Sequence, residues 1–100
     1  MTKVQTKIDA MHNGNIDAIT NGISSHVPIV ALNAILAGTQ QNLHDPVFIE
    51  GVKQATKNNE TILGIPLKAF AAASLHLLGE KKYVGKDTII ISMIDTKMKM

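Results

Sequence analysis

The stretch that decides the fold is VPIVALNAILAG, residues 27–38. At about 100° per residue, its larger and smaller side chains fall on two different sides of one helix. The larger set consists of Ile29, Leu32, Ile35 and Leu36, and the smaller set consists of Val30, Asn33, Ala34 and Ala37. We therefore predict a helix with neighbours on both sides, one of them close.

The ends of this helix carry recognisable signals. Ser24 and Ser25 are residue types that cap helix N-termini, and Pro28 is tolerated in a first turn. Gly38 is placed to act as a C-terminal cap, because glycine readily adopts the left-handed conformation that ends many helices. These signals predict a helix from about His26 to Ala37.

A second segment with the same two-sided character covers residues 62–78. Its helix is predicted to start near Thr61 or at Pro66 and to end at Gly79. The larger side consists of Leu67, Phe70, Leu75, Leu77 and Leu78, and the smaller side consists of Lys68, Ala69, Ala72, Ala73 and His76. We expect the larger side, including Phe70, to lie in the core.

Helical spacing continues in the N-terminal part of the chain and after residue 44. It predicts one helix around Val4, Ile8 and Met11 and another around Ile16, Ile19 and Ile23. Asp45 and Pro46 predict a helix start, as cap and first residue. Gly51 lies inside that helix, where glycine lowers helix stability by about 1 kcal/mol relative to alanine. Close contact with a neighbouring helix is the expected reason for it.

The C-terminal element has two alternatives. Asp87 is placed to cap a helix from Thr88 to Lys97, whereas the β-branched run at residues 88–91 favours a strand. A single strand leaves its backbone groups without partners unless another subunit completes the sheet. We therefore predict a helix.

Two parts of the chain resemble each other, and together they resemble a known repeat. Val27-Pro28-Ile29 and Ile65-Pro66-Leu67 lie thirty-eight positions apart, and each opens a predicted helix. Asp45-Pro46-Val47 resembles the Asp-Pro-x-Val stretch of HEAT repeats, although Phe48 stands where an arginine commonly follows. With Leu-Leu-Gly at 77–79, this resemblance to HEAT or armadillo repeats covers residues 15–97, about two and a half units.

The resemblance implies an all-α fold. We expect either a short HEAT-like α-α superhelix or an irregular helical bundle of five to six helices. Residues 1–100 are expected to form one domain, because single domains cluster at about 100–150 residues. Within it, residues 1–13 hold an N-terminal helix and residues 15–97 hold the helical hairpins.

The composition excludes several kinds of chemistry. Cysteine is absent, which excludes disulfides, thiolate catalysis and cysteine-based metal centres. The histidines (His12, His26, His44 and His76) form no metal-binding pair at helical spacing, and no glycine-rich phosphate loop is present. Ser24-Ser25-His26 lacks the glycine elbow and the acid of a nucleophilic triad. We therefore predict no catalytic, cofactor-binding or metal-binding residues and no enzymatic activity.

The charges argue against nucleic acid and membrane as partners. All ten basic residues are lysines, and the net charge is +2 at pH 7. Without arginine the chain lacks the bidentate donor that suits guanine and phosphate. The most apolar stretch, residues 62–78, contains Lys68 and His76 and is shorter than the about 20 apolar residues of a membrane span. With no targeting segment visible, a cytoplasmic location is expected.

These features favour a non-catalytic helical module, a scaffold or inhibitor that binds a partner protein or a second copy of this chain. The predicted contact residues are Asn33, Lys68 and His76, the polar residues on the smaller sides of the two apolar helices. Those sides form either a seam within the chain or an open groove. Lys68 favours the groove, because an unpaired lysine is rarely buried.

Two alternative functions are also compatible with the sequence. The first is nucleic-acid binding through the Lys-rich C-terminal half, where Lys81, Lys82 and Lys86 surround Tyr83. A small-molecule-binding protein or an enzyme that uses His76 is the second.

Overall fold

A computed structural model describes residues 3–62 and 64–80. These residues form five helices and one antiparallel two-stranded ribbon. The elements are α1 (Lys3–His12), α2 (Ile16–Gly22), α3 (Pro28–Gln40), α4 (Pro46–Ala55), β1 (Thr61–Ile62), β2 (Ile65–Pro66) and α5 (Leu67–Leu77). The predicted all-α character is confirmed, with the short ribbon as an addition. The predicted helix from Thr88 to Lys97 lies outside the described residues.

Helix α3 is the centre of the fold. It packs against α1, α2 and α5, and every residue from Val30 to Thr39 is buried. A helix that is covered on all sides needs apolar or small side chains around its whole circumference. Residues 29–38 supply them, so the predicted neighbours on both sides are confirmed.

The predicted ends of α3 are wrong at both termini. Val27 occupies the N-cap position, and Ser25 accepts a hydrogen bond from the Val27 N–H at 3.1 Å, before the helix begins. Gly38 does not end the helix, which continues to Gln40, and the left-handed residue is Asn42 with φ of 54°.

Packing, rather than backbone conformation, explains Gly38. A Cβ atom added there would lie against the ring of Phe48, only 2.5 Å from Cε1 and 2.9 Å from Cε2. Glycine is therefore required because the aromatic ring lies directly on the α3 backbone.

Helix α4 begins as predicted. The Asp45 carboxylate accepts hydrogen bonds from the N–H groups of Val47 at 2.9 Å and Phe48 at 3.2 Å. The apolar residues Phe48, Ile49, Val52 and Ala55 of this helix are all buried. Gly51 also has the expected role, because an added Cβ would lie 2.6 Å from two side-chain carbons of Ile23.

The Asp45 cap is expected to contribute measurably to stability. Asp45→Ala leaves the two N–H groups without their acceptor and should lower the free energy of unfolding by about 1 kcal/mol. Asp17→Ala is the matched control, because Asp17 lies in the first turn of α2, where Asn15 is the cap. Urea unfolding should give a smaller loss for the control. Equal losses of stability in the two variants would mean that Asp45 stabilises α4 only through its negative charge near the helix N-terminus, and that its two hydrogen bonds add nothing.

The ribbon was not predicted. Thr61 pairs with Pro66 and Ile62 with Ile65, and Gly64 has a φ of 80° in the turn between them. Pro66 then serves as the N-cap of α5. Two-residue strands are too short to produce an alternating sequence pattern, which is why the sequence showed only a helix start in this region.

Helix α5 turns its larger side inward, as predicted, with the exception of the half-buried Leu77. Phe70 has no exposed surface, and Gly79 has a φ of 77° just after the helix. Ser74 is also buried and lies 2.5 Å from the Thr39 hydroxyl, which itself donates to Ile35 O at 2.6 Å. The Ser74 hydroxyl is therefore the donor of the pair, and it joins α5 to α3.

His44 connects the α3–α4 loop to the end of α5. Its Nε2 atom lies 3.0 Å from Leu78 O, and its Nδ1 atom lies 3.0 Å from Asn42 O. His44 therefore has a structural role, since it links this loop to the end of α5.

None of the helices within residues 3–62 and 64–80 combines the length and the apolar character needed to cross a bilayer.

Candidate functional site: a groove beside the start of α3

Asn33, the first of the predicted contact residues, is a core residue. It has no exposed surface. Its amide nitrogen donates to Ile29 O at 2.8 Å, which leaves its amide oxygen to accept from His12 Nε2 at 2.9 Å. The smaller side of α3 is thus a seam against α1 and not an open groove. Asn33 is unavailable to a partner, which corrects that part of the prediction.

Lys68 and His76 are exposed, but they lie in different parts of α5. The backbone N–H of Lys68 donates to Asn58 O at 3.0 Å, which places Lys68 beside the end of α4. His76 lies eight residues further on, about 12 Å along the helix axis. The buried Asn33 therefore cannot belong to a surface site with them, whereas Lys68 and His76 remain exposed on α5 and stay predicted contact residues.

A different groove lies beside the first turn of α3. It has a volume of about 320 Å³ and is bounded by the α2–α3 connection, by α4 and by the start of α5. We call it the α3–α4 groove, and its lining consists of Ile23, Ser24, Ser25, His26, Ala31, Gly51, Gln54, Ala55, Asn58 and Leu67.

The floor of the α3–α4 groove is apolar. Ile23, Ala31, Ala55 and Leu67 are all buried, and each comes from a different segment of the chain. The close approach of α4 to Ile23, which Gly51 permits, brings two of these segments together.

The rim of the groove is polar and carries no acidic or lysine side chain. Three of its side chains already have partners: Ser25 accepts from Val27, Gln54 donates to Glu50 Oε1 at 3.0 Å, and Asn58 accepts from Glu60 at 2.9 Å. Ser24 and His26 complete the rim and are exposed. The groove therefore presents an apolar floor surrounded by hydrogen-bonding side chains, none of them acidic or lysine.

A smaller cavity adjoins the groove at Ser25. It has a volume of about 150 Å³ and lies between α1, α2 and the start of α3. Its lining consists of Lys7, Met11, Ala18, Asn21, Gly22, Ser25 and Val30. The two hollows meet at Ser25, which lines both of them.

The described residues offer no assembled metal centre. Among them, no three or more acidic or histidine side chains come together to hold an ion. Every buried side-chain nitrogen and oxygen in this part of the chain has a hydrogen-bond partner. The Lys-rich cluster around Tyr83 lies outside residues 3–62 and 64–80.

Sequence reasoning missed the groove because its lining comes from separate segments. Gly51 was the one available signal. It indicated that another segment packs closely against α4, but it did not identify that segment.

Comparison of the chain with protein-family models, with curated proteins and with solved structures finds no match.

Proposed function

We propose that the protein is a non-catalytic interaction module that binds a segment of a partner protein in the α3–α4 groove. The observation that carries the proposal is the buried apolar floor within a rim of polar side chains that includes no acidic residue and no lysine. Protein interfaces have this arrangement, with an apolar centre, a polar rim and a few side chains inserted into pockets.

The chemistry of the groove defines the partner. The groove is lined without lysine, the residue type that would supply the positive charge for contacts with a phosphate backbone in this chain. A charged side chain placed on its floor would have no counter-ion and would lose hydration. The occupant is therefore a segment with an uncharged apolar side chain that contacts Leu67 and Ala55, flanked by backbone groups that bond to the rim.

The HEAT-like resemblance supports the same class of function, because such repeats commonly serve as protein-binding scaffolds. The Asp45 cap and the left-handed Gly79 are features of helix ends in many folds and do not test that resemblance. Gly38 departs from it, because it lies within α3 instead of ending it.

A displayed library of random peptides, selected on the immobilised full chain, tests the proposal. Selected peptides should share an apolar residue and bind the wild-type chain in a fluorescence anisotropy assay. Gln54→Trp places a large side chain at the groove, and we expect at least tenfold weaker binding, about 1.4 kcal/mol. Lys53→Trp is the matched control, because the neighbouring residue is exposed and does not line the groove.

Three outcomes would contradict the proposal, provided that both variants keep the wild-type circular dichroism spectrum and melting temperature. They are failure to select any peptide, equal binding to both tryptophan variants, and selection of peptides without an apolar residue. Concentration-dependent self-association that Gln54→Trp abolishes would identify a second copy of this chain as the occupant and would overturn the partner assignment.

A further inference from the structure

We propose that Asn13 is a site of spontaneous deamidation in the native protein, whereas Asn21 is protected from the same reaction. Both asparagines precede glycine, as Asn13-Gly14 and Asn21-Gly22. Glycine has no Cβ atom to obstruct the approach of its backbone nitrogen to the preceding side chain. The two dipeptides therefore have the same intrinsic chemistry, and only the fold distinguishes them.

The reaction is an intramolecular acyl transfer. The backbone nitrogen of the glycine attacks Cγ of the asparagine, and a new C–N bond forms. The bond from Cγ to the side-chain nitrogen breaks, and ammonia leaves with the proton that the glycine nitrogen gives up. Water then opens the cyclic imide at one of its two carbonyls, which yields aspartate or isoaspartate.

Attack requires rotation about the bond between the asparagine Cα and its carbonyl carbon, and at Asn13 little opposes this rotation. Asn13 and Gly14 are both exposed and lie after the last residue of α1, with Gly14 at a φ of 93°. The rotation disturbs two backbone hydrogen bonds at this helix end, Gly14 N–H to Met11 O at 3.1 Å and Asn15 N–H to Ala10 O at 3.0 Å. Helix ends open locally far more readily than packed elements do.

At Asn21 the same rotation disrupts the core. Gly22 belongs to α2 and is buried, and a Cβ added there would overlap the Met11 side chain and lie 3.3 Å from Ala34 Cβ. Met11 itself has no exposed surface. Moving the Gly22 nitrogen toward the Asn21 side chain therefore requires the last turn of α2 to leave its contact with α1 and α3. Asn21 is exposed, but its reaction partner is held in place.

Deamidation at Asn13 would alter the junction between α1 and α2. A carboxylate at the C-terminal end of α1 interacts unfavourably with the helix dipole. The isoaspartate form also lengthens the main chain by one methylene group between two helices that pack on α3. We expect the modified chains to melt at a lower temperature than the unmodified ones.

The test follows both asparagines in the same sample of the full chain during incubation at mildly alkaline pH. Cleavage on the N-terminal side of Asp17 separates the two sites into different peptides, and mass spectrometry measures the conversion of each amide to the acid. In the native protein we expect Asn13 to react at least ten times faster than Asn21. In concentrated urea we expect the two rates to agree within about twofold, since the chain then lacks the fold that distinguishes them.

Equal rates in the native protein, or faster reaction of Asn21, would overturn the proposal. A rate difference that persists in urea would do the same, because it would have a local sequence cause. Gly14→Ala provides a second check. It should slow reaction at Asn13 in urea by hindering the attack, while Asn21 continues to react at the wild-type rate.

Discussion

Phe70→Ala is expected to lower the free energy of unfolding by about 3–5 kcal/mol, the usual loss when a buried aromatic side chain is truncated to alanine. Phe70 is among the largest side chains without exposed surface, and it lies on the α5 side that faces the core. Small domains have total stabilities of about 5–15 kcal/mol, so this single change removes a large fraction. Urea unfolding monitored by circular dichroism measures the effect.

Lys68→Ala is the control for this prediction. Lys68 is exposed on the same helix, so its replacement should change stability by less than about 0.5 kcal/mol. Phe70→Leu keeps most of the volume and should give an intermediate loss, which remains measurable if the alanine variant is largely unfolded. A loss below about 1 kcal/mol for Phe70→Ala would contradict the orientation of α5.

Gly38→Ala is expected to destabilise the protein by about 2–3 kcal/mol, although alanine is the better helix former by about 1 kcal/mol. The added Cβ overlaps the Phe48 ring. Because Phe48 is completely buried, its ring cannot move aside into solvent. The steric effect therefore exceeds the gain in helix propensity.

A double-mutant cycle with Phe48→Leu separates these two effects. The leucine variant alone should be less stable than wild type, because it loses ring contacts in the core. Adding Gly38→Ala to it should cause a smaller loss than in the wild-type background, with a coupling of at least about 1 kcal/mol. Additive losses of stability would show that contact with the Phe48 ring does not explain why position 38 is glycine. A Gly38→Ala variant that is more stable than wild type would show that nothing packs closely against α3 at Gly38.

Most helix positions could be predicted from local signals. The Asp45–Pro46 start of α4, the glycine after α5 and the apolar spacing of α1 and α2 each depend on residues within a few positions of one another. Hydrogen bonds from a cap and the left-handed conformation of glycine are local effects. The same sequence features therefore predict the same structure in many different folds.

The candidate site could not be predicted in this way. Asn33 appeared as a polar residue on the smaller side of a helix, and the sequence alone did not indicate that His12 would provide its hydrogen-bond partner. The groove depends on residues near positions 23, 31, 55 and 67 meeting at one point. Residues so far apart in the sequence produce no periodic pattern that would show that they are neighbours in the fold.

By itself the sequence determined the helical class, the start of α4 and most of the large apolar side chains of the core, because propensity, capping and apolar spacing act over short stretches of chain. The tertiary structure alone decided which small residues form seams and which remain exposed. Gly38 illustrates the difference, because a glycine at the end of an apolar helical stretch suits a cap or a close contact equally well. Only the ring of Phe48, ten positions away, shows that it serves as a close contact.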